Sequence, residues 1–300
     1  MTEIEFLIID KENSGRRLDN FLFSKYRKVP KSKIYSSIRK AKIKVNDKKS
    51  KPDYKLLSND KVSCPIFVEK KDVSESPNLS THLEIIKNCI VYDSNKYIVL
   101  NKPPNFSVHG GSGLNFGVIE LIKKIYKNSD NFKLAHRIDK LTSGCLVIAK
   151  KMSSLREIHK QFRNKEVKKI YECIVHGRWP EHLKKIETNM DIKHVNSERI
   201  AQLAITGKES LTKFTYVKHS ALYSHIIAIP ITGRTHQIRL HCSSAGYPIV
   251  GDQKYSMKNI ANPKCRMMLH AREINFFEDG KKVKVISEDN HGFGENLEII

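Results

Sequence analysis

Asp139 sits where an acidic side chain can do chemistry. It belongs to His136-Arg137-Ile138-Asp139-Lys140-Leu141-Thr142-Ser143-Gly144, and the apolar run Cys145-Leu146-Val147-Ile148-Ala149 follows at once. A carboxylate beside a guanidinium is favoured in its charged form, because the positive charge lowers its pKa. Such a group, tied to a rigid element, is a nucleophile, a base or half of a structural ion pair, and the local pattern leaves all three open. A second concentration of functional groups is Thr232-Gly233-Arg234-Thr235-His236-Gln237-Ile238-Arg239-Leu240-His241. A glycine followed by a basic, helix-like segment puts backbone amides and cations together, a setting that suits phosphate. Val108-His109-Gly110-Gly111-Ser112-Gly113 is a flexible loop near substrate or a plain glycine turn. It lacks the Gly-Lys-Ser/Thr ending of a phosphate loop, and no Gly-x-Ser-x-Gly elbow accompanies it. The six cysteines form no Cys-x-x-Cys pair and no His-Glu-x-x-His is present, so neither a metal centre nor a disulfide framework is expected.

The elements that must hold these groups are legible from periodicity. Leu18, Phe21, Leu22 and Tyr26 fall on one face of a helix after Ser14-Gly15-Arg16-Arg17. Ile34, Ile38 and Ala41 mark a second helix, whose other side carries Lys33, Arg39, Lys40 and Lys42. Ile43-Lys44-Val45-Asn46 alternates as a strand, Asp47-Lys48-Lys49 turns, and another strand starts at Asp60. Residues 69–82 are polar, contain Pro77, and read as a linker. Beyond it come strands at 90–93 and 97–100, a helix over 117–126, the buried strand after Asp139, and a helix through Met152, Leu155, Ile158 and Phe162 with Ser154 and Glu157 as a capping box. A strand over 172–175, a less regular region over 180–210, and strands at 213–217 and 225–229 complete the frame, with a last strand after Leu269-His270-Ala271.

Three hundred residues allow one large domain or two smaller ones with ample core, and no apolar run approaches the ~20 residues of a membrane span. The N-terminus shows no secretory signal, which points to the cytoplasm. Fifty-four Lys and Arg against 32 Asp and Glu give a net charge of +22, the footprint of a protein that meets a polyanion.

Residues 136–144 resemble the signature loop of the RluA-type pseudouridine synthases, His-Arg-Leu-Asp-x-x-Thr-Ser-Gly. Further blocks agree in order: Asn101-Lys102-Pro103-Pro104, Lys169-Ile170-Tyr171, residues 232–241, and Gly246-Tyr247-Pro248-Ile249-Val250-Gly251-Asp252. The likeness runs from about residue 14 to about residue 277, and the Val108–Gly113 block agrees with the RluC-like branch. Arg-Leu-Asp-Asn-Phe-Leu and Lys-Ile-Lys-Val-Asn resemble an S-four-like RNA-binding domain. The resemblance implies an α+β protein: a small N-terminal αL-type RNA-binding module over 14–68, the linker, and a mixed, largely antiparallel-sheet catalytic domain over 83–300. It makes Asp139 the catalytic residue, puts Tyr171 beneath the target base and Ile238 beside it, and pairs Arg239 with the carboxylate. Arg137 fills the gap left by a flipped uridine. His136, Arg234 and Lys102 join the substrate site, Lys102 either touching RNA backbone or fixing its loop. Arg16, Arg17, Lys33, Arg39 and Lys40 bind RNA. The implied substrate is large-subunit ribosomal RNA, with no cofactor, metal, membrane or protein partner, and a monomeric enzyme. Transfer RNA or another RNA is an alternative substrate. A lapsed RNA-binding or ribosome-assembly protein is a different reading, against which intact Asp139, Tyr171 and Arg239 argue. Lys140-Leu141 departs from the family's usual Arg-Asp, and the tail after Phe277 lacks its usual closing pattern.

Overall fold

A computed structural model describes residues 4–26, 29, 31–67, 79–110, 116–195, 198–257, 260, 263–289 and 292–293. The chain divides into two compact units, Met1–Ser76 and Pro77–Ile300.

In the first unit, strands β1 (Ile4–Ile8), β2 (Lys44–Val45), β3 (Lys48–Lys49) and β4 (Lys61–Pro65) form an antiparallel sheet in the order β1-β4-β2-β3. Helices α1 (Leu18–Lys25) and α2 (Lys31–Arg39) bury Leu18, Leu22, Ile34 and Ile38 completely, against Ile9, Ile43, Leu56 and Val62. Ala41 does not extend that face: it lies beyond the helix at φ 54°. Lys48 and Lys49 are strand rather than turn. The reversal falls at Asn46 (φ 49°) and Asp47 (φ 62°), a two-residue hairpin whose left-handed residues suit Asn and Asp.

The second unit is built on one eleven-stranded sheet. Its order is β11 (Glu198–Leu203), β10 (Lys185–Val195), β12 (Lys208–His219), β13 (Tyr223–Pro230), β9 (Lys168–His176), β14 (Leu269–Glu278), β8 (Ser143–Ala149), β6 (Tyr97–Lys102), β5 (Ile90–Asp93). β15 (Lys281–Ile286) pairs with β14, and β7 (Lys133–Leu134) with β8. Among the described residues every pairing is antiparallel except β14 with β8. All seven residues of β8 are buried, as a near-continuous apolar run requires when both faces of a strand are covered. One core cluster gathers Val147, Tyr171, Cys173, Trp179, Ile226 and Phe276; another gathers Ile98, Leu100, Leu146 and Ile148 with helix α4 (Val118–Ile125).

Further expectations need correction. Residues 185–195 and 198–203 are not irregular but form the antiparallel pair β10–β11; their Lys-Ile-Glu-Thr-Asn-Met pattern carries too few apolar residues to announce a strand. Residues 69–78 of the expected linker lie outside the described residues, while 79–82 open helix α3 (Leu79–Asn88), which buries Leu79 and Ile86. Helix α5 (Met152–Arg163) has Lys151 at its N-cap and no side-chain cap; Glu157 instead pairs with Lys96 at 2.9 Å. Leu269-His270-Ala271 begins β14 rather than preceding it. No helix among the described residues is long and apolar enough to cross a membrane.

Candidate active site

Asp139 is carried by the loop between β7 and β8, and both ends of that loop are fixed. At its start, Ala135 N–H donates to Val147 O (2.9 Å) and Val147 N–H donates to His136 Nε2 (3.1 Å). Burial first, then the charge of Lys169, pushes His136 down to about 3, so its ring is a neutral acceptor. At the loop's end, Gly144 (φ 104°) lies in the parallel pairing of β8 with β14, opposite Ala271. A Cβ at Gly144 would meet Ala271 O at 2.3 Å, so only glycine satisfies both the dihedral and the approach. Ser143 Oγ bonds His270 Nδ1 (2.8 Å) and accepts from Arg266 Nη1 (2.8 Å).

Lys102 supports the loop from beneath. It is fully buried, and its ammonium donates to Pro103 O (2.8 Å), Phe106 O (3.0 Å) and Lys140 O (3.1 Å). All three donors of Lys102 are thus directed at backbone carbonyls, an arrangement that suits fixing the loop. Burial lowers it to about 7 against the opposing charge of Asp139.

Arg239 comes from helix α6 (Gln237–Ser244), packed against β12 and β13. Gln237 staples the helix start: its amide donates to Leu211 O (3.0 Å) and Thr212 Oγ1 (2.9 Å), and its oxygen accepts from Thr232 Oγ1 and Arg234 N–H. His241, fully buried, bonds Thr212, Thr188 and Ser210. From that seat Arg239 Nη1 donates to Asp139 Oδ2 at 3.0 Å, while Nε and Nη2 hold the fully buried Asp252 at 2.7 and 2.8 Å. Burial alone would lower the guanidinium's pKa; the bonds to Asp252 and Asp139 outweigh it, and the net shift is upward. A buried cation needs such pairing, and the planar fork supplies it to two carboxylates at once. Asp252 was quoted in a sequence block but given no role there. Gly251 (φ 78°), whose added Cβ would meet Arg266 O at 2.2 Å, turns the chain into it.

Asp139, Arg137, Tyr171, Arg234, Ile238 and Arg239 line one cleft of about 560 Å³, within the range of small-ligand sites. Tyr171 and Ile238 are buried walls; burial, then the charge of Asp139, raises the Tyr171 phenol. Arg137 is exposed at the cleft. Arg234 is exposed too, its Nε held by Glu209 O at 2.9 Å. His136 also lines the cleft, though its Nε2 anchors the loop. His236 and Tyr255, which had no sequence signal beyond their neighbours, stand beside Asp139 and Arg239.

In the first unit, Lys33, Arg39 and Lys40 are exposed. Arg17 is half-exposed and tied to buried Asp19 at 2.7 Å, and Arg16 is turned onto Ser24 Oγ at 2.8 Å.

Comparison with known proteins agrees with this geometry. A family model described as RNA pseudouridylate synthase matches residues 96–244, and one described as S4 domain matches residues 16–62. The chain is 40% identical to "Ribosomal large subunit pseudouridine synthase C" of Buchnera aphidicola subsp. Acyrthosiphon pisum, covering 94% of this chain and 93% of that one. It is 41% identical to the protein of the same name from Haemophilus influenzae, covering 92% and 88%. Among solved structures, human RNA pseudouridylate synthase domain containing 1 aligns with a TM-score of 0.55 at 27% identity over 67% of this chain and 82% of its own. Human RNA pseudouridylate synthase domain containing 4 aligns with a TM-score of 0.60 at 20% identity over 72% and 94%, a likeness of fold.

Proposed function

This chain belongs to the RNA pseudouridylate synthase family, and from that premise we propose that it isomerises uridines of large-subunit ribosomal RNA to pseudouridine, with Asp139 as the catalytic carboxylate. The substrate follows from the relatives' names, the S4 domain and the +22 charge, which suits a polyanion. A ribosomal RNA substrate supports a cytoplasmic location.

The reaction breaks the bond from ribose C1′ to uracil N1, turns the base, and joins C5 to C1′. It neither oxidises nor adds a group, so one positioned carboxylate is chemically sufficient, whether it attacks sugar or ring or takes a ribose proton. The target base must leave its stack to reach the cleft. Exposed Arg137 fills the vacated space, and the base lies between Tyr171 and Ile238. Because its phenol is raised, Tyr171 suits stacking better than removal of the C5 proton. Arg239, held by Asp252, fixes the carboxylate and balances its charge.

The carrying observation is Asp139 Oδ2 at 3.0 Å from Arg239 Nη1 in a cleft walled by Tyr171 and Ile238. The test compares the parent and Asp139→Asn on uridine-containing fragments of large-subunit ribosomal RNA, with transfer RNA as control. Turnover is expected to vanish in the variant while RNA affinity persists. Equal turnover removes Asp139 from the chemistry; conversion of transfer RNA alone removes the substrate assignment.

A further inference from the structure

The two oxygens of Asp139 are not equivalent. Oδ2 is taken by Arg239. Oδ1 has no hydrogen-bond partner among the described residues; it faces His236 Nε2 at 3.8 Å, beyond hydrogen-bond length. His236 precedes helix α6 at φ 54°, ψ 23°, a left-handed conformation uncommon for a residue with a Cβ. Its Nδ1 is 2.8 Å from the Tyr255 hydroxyl. That hydroxyl accepts Ala201 N–H at 2.9 Å, and its own proton has His236 Nδ1 as acceptor. A neutral imidazole that accepts at Nδ1 carries its proton at Nε2. Burial lowers the ring's pKa against the opposing charge of Asp139, which keeps the ring neutral.

Tyr255 also serves the other side of the carboxylate. Its ring lies 5.0 Å from Arg239 Cζ, and its backbone N–H donates to Asp252 Oδ1 at 3.2 Å. One tyrosine therefore braces both groups that face Asp139.

We propose that Tyr255 and His236 are positioning residues that leave Asp139 with one reactive oxygen. The Tyr255 hydroxyl locks the Nε2–H tautomer, and that N–H aims Oδ1 into the cleft while Arg239 immobilises Oδ2. This rests on the reading of Asp139 as the catalytic carboxylate. His236 acts through the Asp139 carboxylate and touches no substrate atom. Its N–H closes on Oδ1 when substrate fills the cleft, and it holds the oxygen's direction as its charge changes through the reaction.

The test uses the full chain with Tyr255→Phe, His236→Gln and His236→Asn. Gln puts an amide N–H near the place of Nε2; Asn cannot reach it, yet Asn tolerates the left-handed backbone better. Nitrogen-15 NMR of His236 is expected to show the Nε2–H tautomer in the parent and a mixture in Tyr255→Phe. Single-turnover conversion of a ribosomal RNA fragment is expected to slow about tenfold in Tyr255→Phe with RNA affinity unchanged. His236→Gln is expected to convert faster than His236→Asn although the Asn variant melts higher. An Nδ1–H tautomer in the parent, an undiminished rate in Tyr255→Phe, or His236→Asn matching His236→Gln overturns the proposal. A parent that converts no uridine refutes the catalytic reading instead, and the tautomer still decides the pair's geometry.

Discussion

Asp139 depends on a guanidinium that is itself held by a second, fully buried carboxylate, and the three groups stand or fall together. Asp252→Asn removes the charge that offsets buried Arg239, so it is expected to destabilise the fold by about 3 kcal/mol in chemical denaturation and to lower turnover with it. Arg239→Lys has no fork to bridge both carboxylates and is expected to lose turnover without losing RNA affinity in a filter-binding assay. Lys102 makes a pH-dependent prediction. Its folded pKa of about 7 lies below the ordinary 10.5, so between those values the unfolded chain binds the extra proton. Stability from this group therefore rises with pH across that window, and its burial penalty is present in full below about 7. Denaturant midpoints of the parent relative to Lys102→Met are expected to climb from pH 7 toward pH 10.5, and a flat difference would refute the assignment.

At the level of elements, the two ends of the site come from segments a hundred residues apart, and sheet order alone joins them. β8 brings Asp139's loop to β14, β14 pairs with β9, and β13 leads toward α6 and Arg239. The signature glycine is where this arrangement is tightest. Gly144→Ala is expected to lower the melting temperature markedly and abolish conversion, because a Cβ there meets backbone rather than a movable side chain. The buried strand β8 and helices α4 and α5 were legible in sequence because their apolar residues repeat cleanly. β10 and β11 were not, since the pairing of β10 with β12 and of β11 with β10, rather than apolar patterning, sets them. Asp139 and Arg239 were read as partners through the resemblance; no local rule links residues so far apart. Asp252 and Tyr255 were given no role because their meaning lies wholly in what α6 presents to them. Lys102 was named, but its burial among three carbonyls is a tertiary fact that no local pattern carries.

For the whole molecule, each unit has its own core: residues between Ile9 and Phe67 form one cluster, and the others lie in the second unit. A chain beginning at Pro77 is expected to keep its single-turnover rate within about threefold while its RNA affinity falls at least tenfold, because the lost S4 domain supplies local concentration rather than chemistry. The logarithm of that affinity is expected to fall linearly with log salt in either form, more steeply in the full chain. The parallel contact of Ser143 and Gly144 with His270 and Ala271 has a consequence in time. The strand that seals the acid-bearing loop leaves the ribosome more than a hundred residues after the acid does. A nascent chain halted before residue 270 already carries Asp139, Tyr171, Arg239 and Asp252 but lacks the strand that pairs with Ser143 and Gly144, and it is expected to convert no uridine in a single-turnover assay.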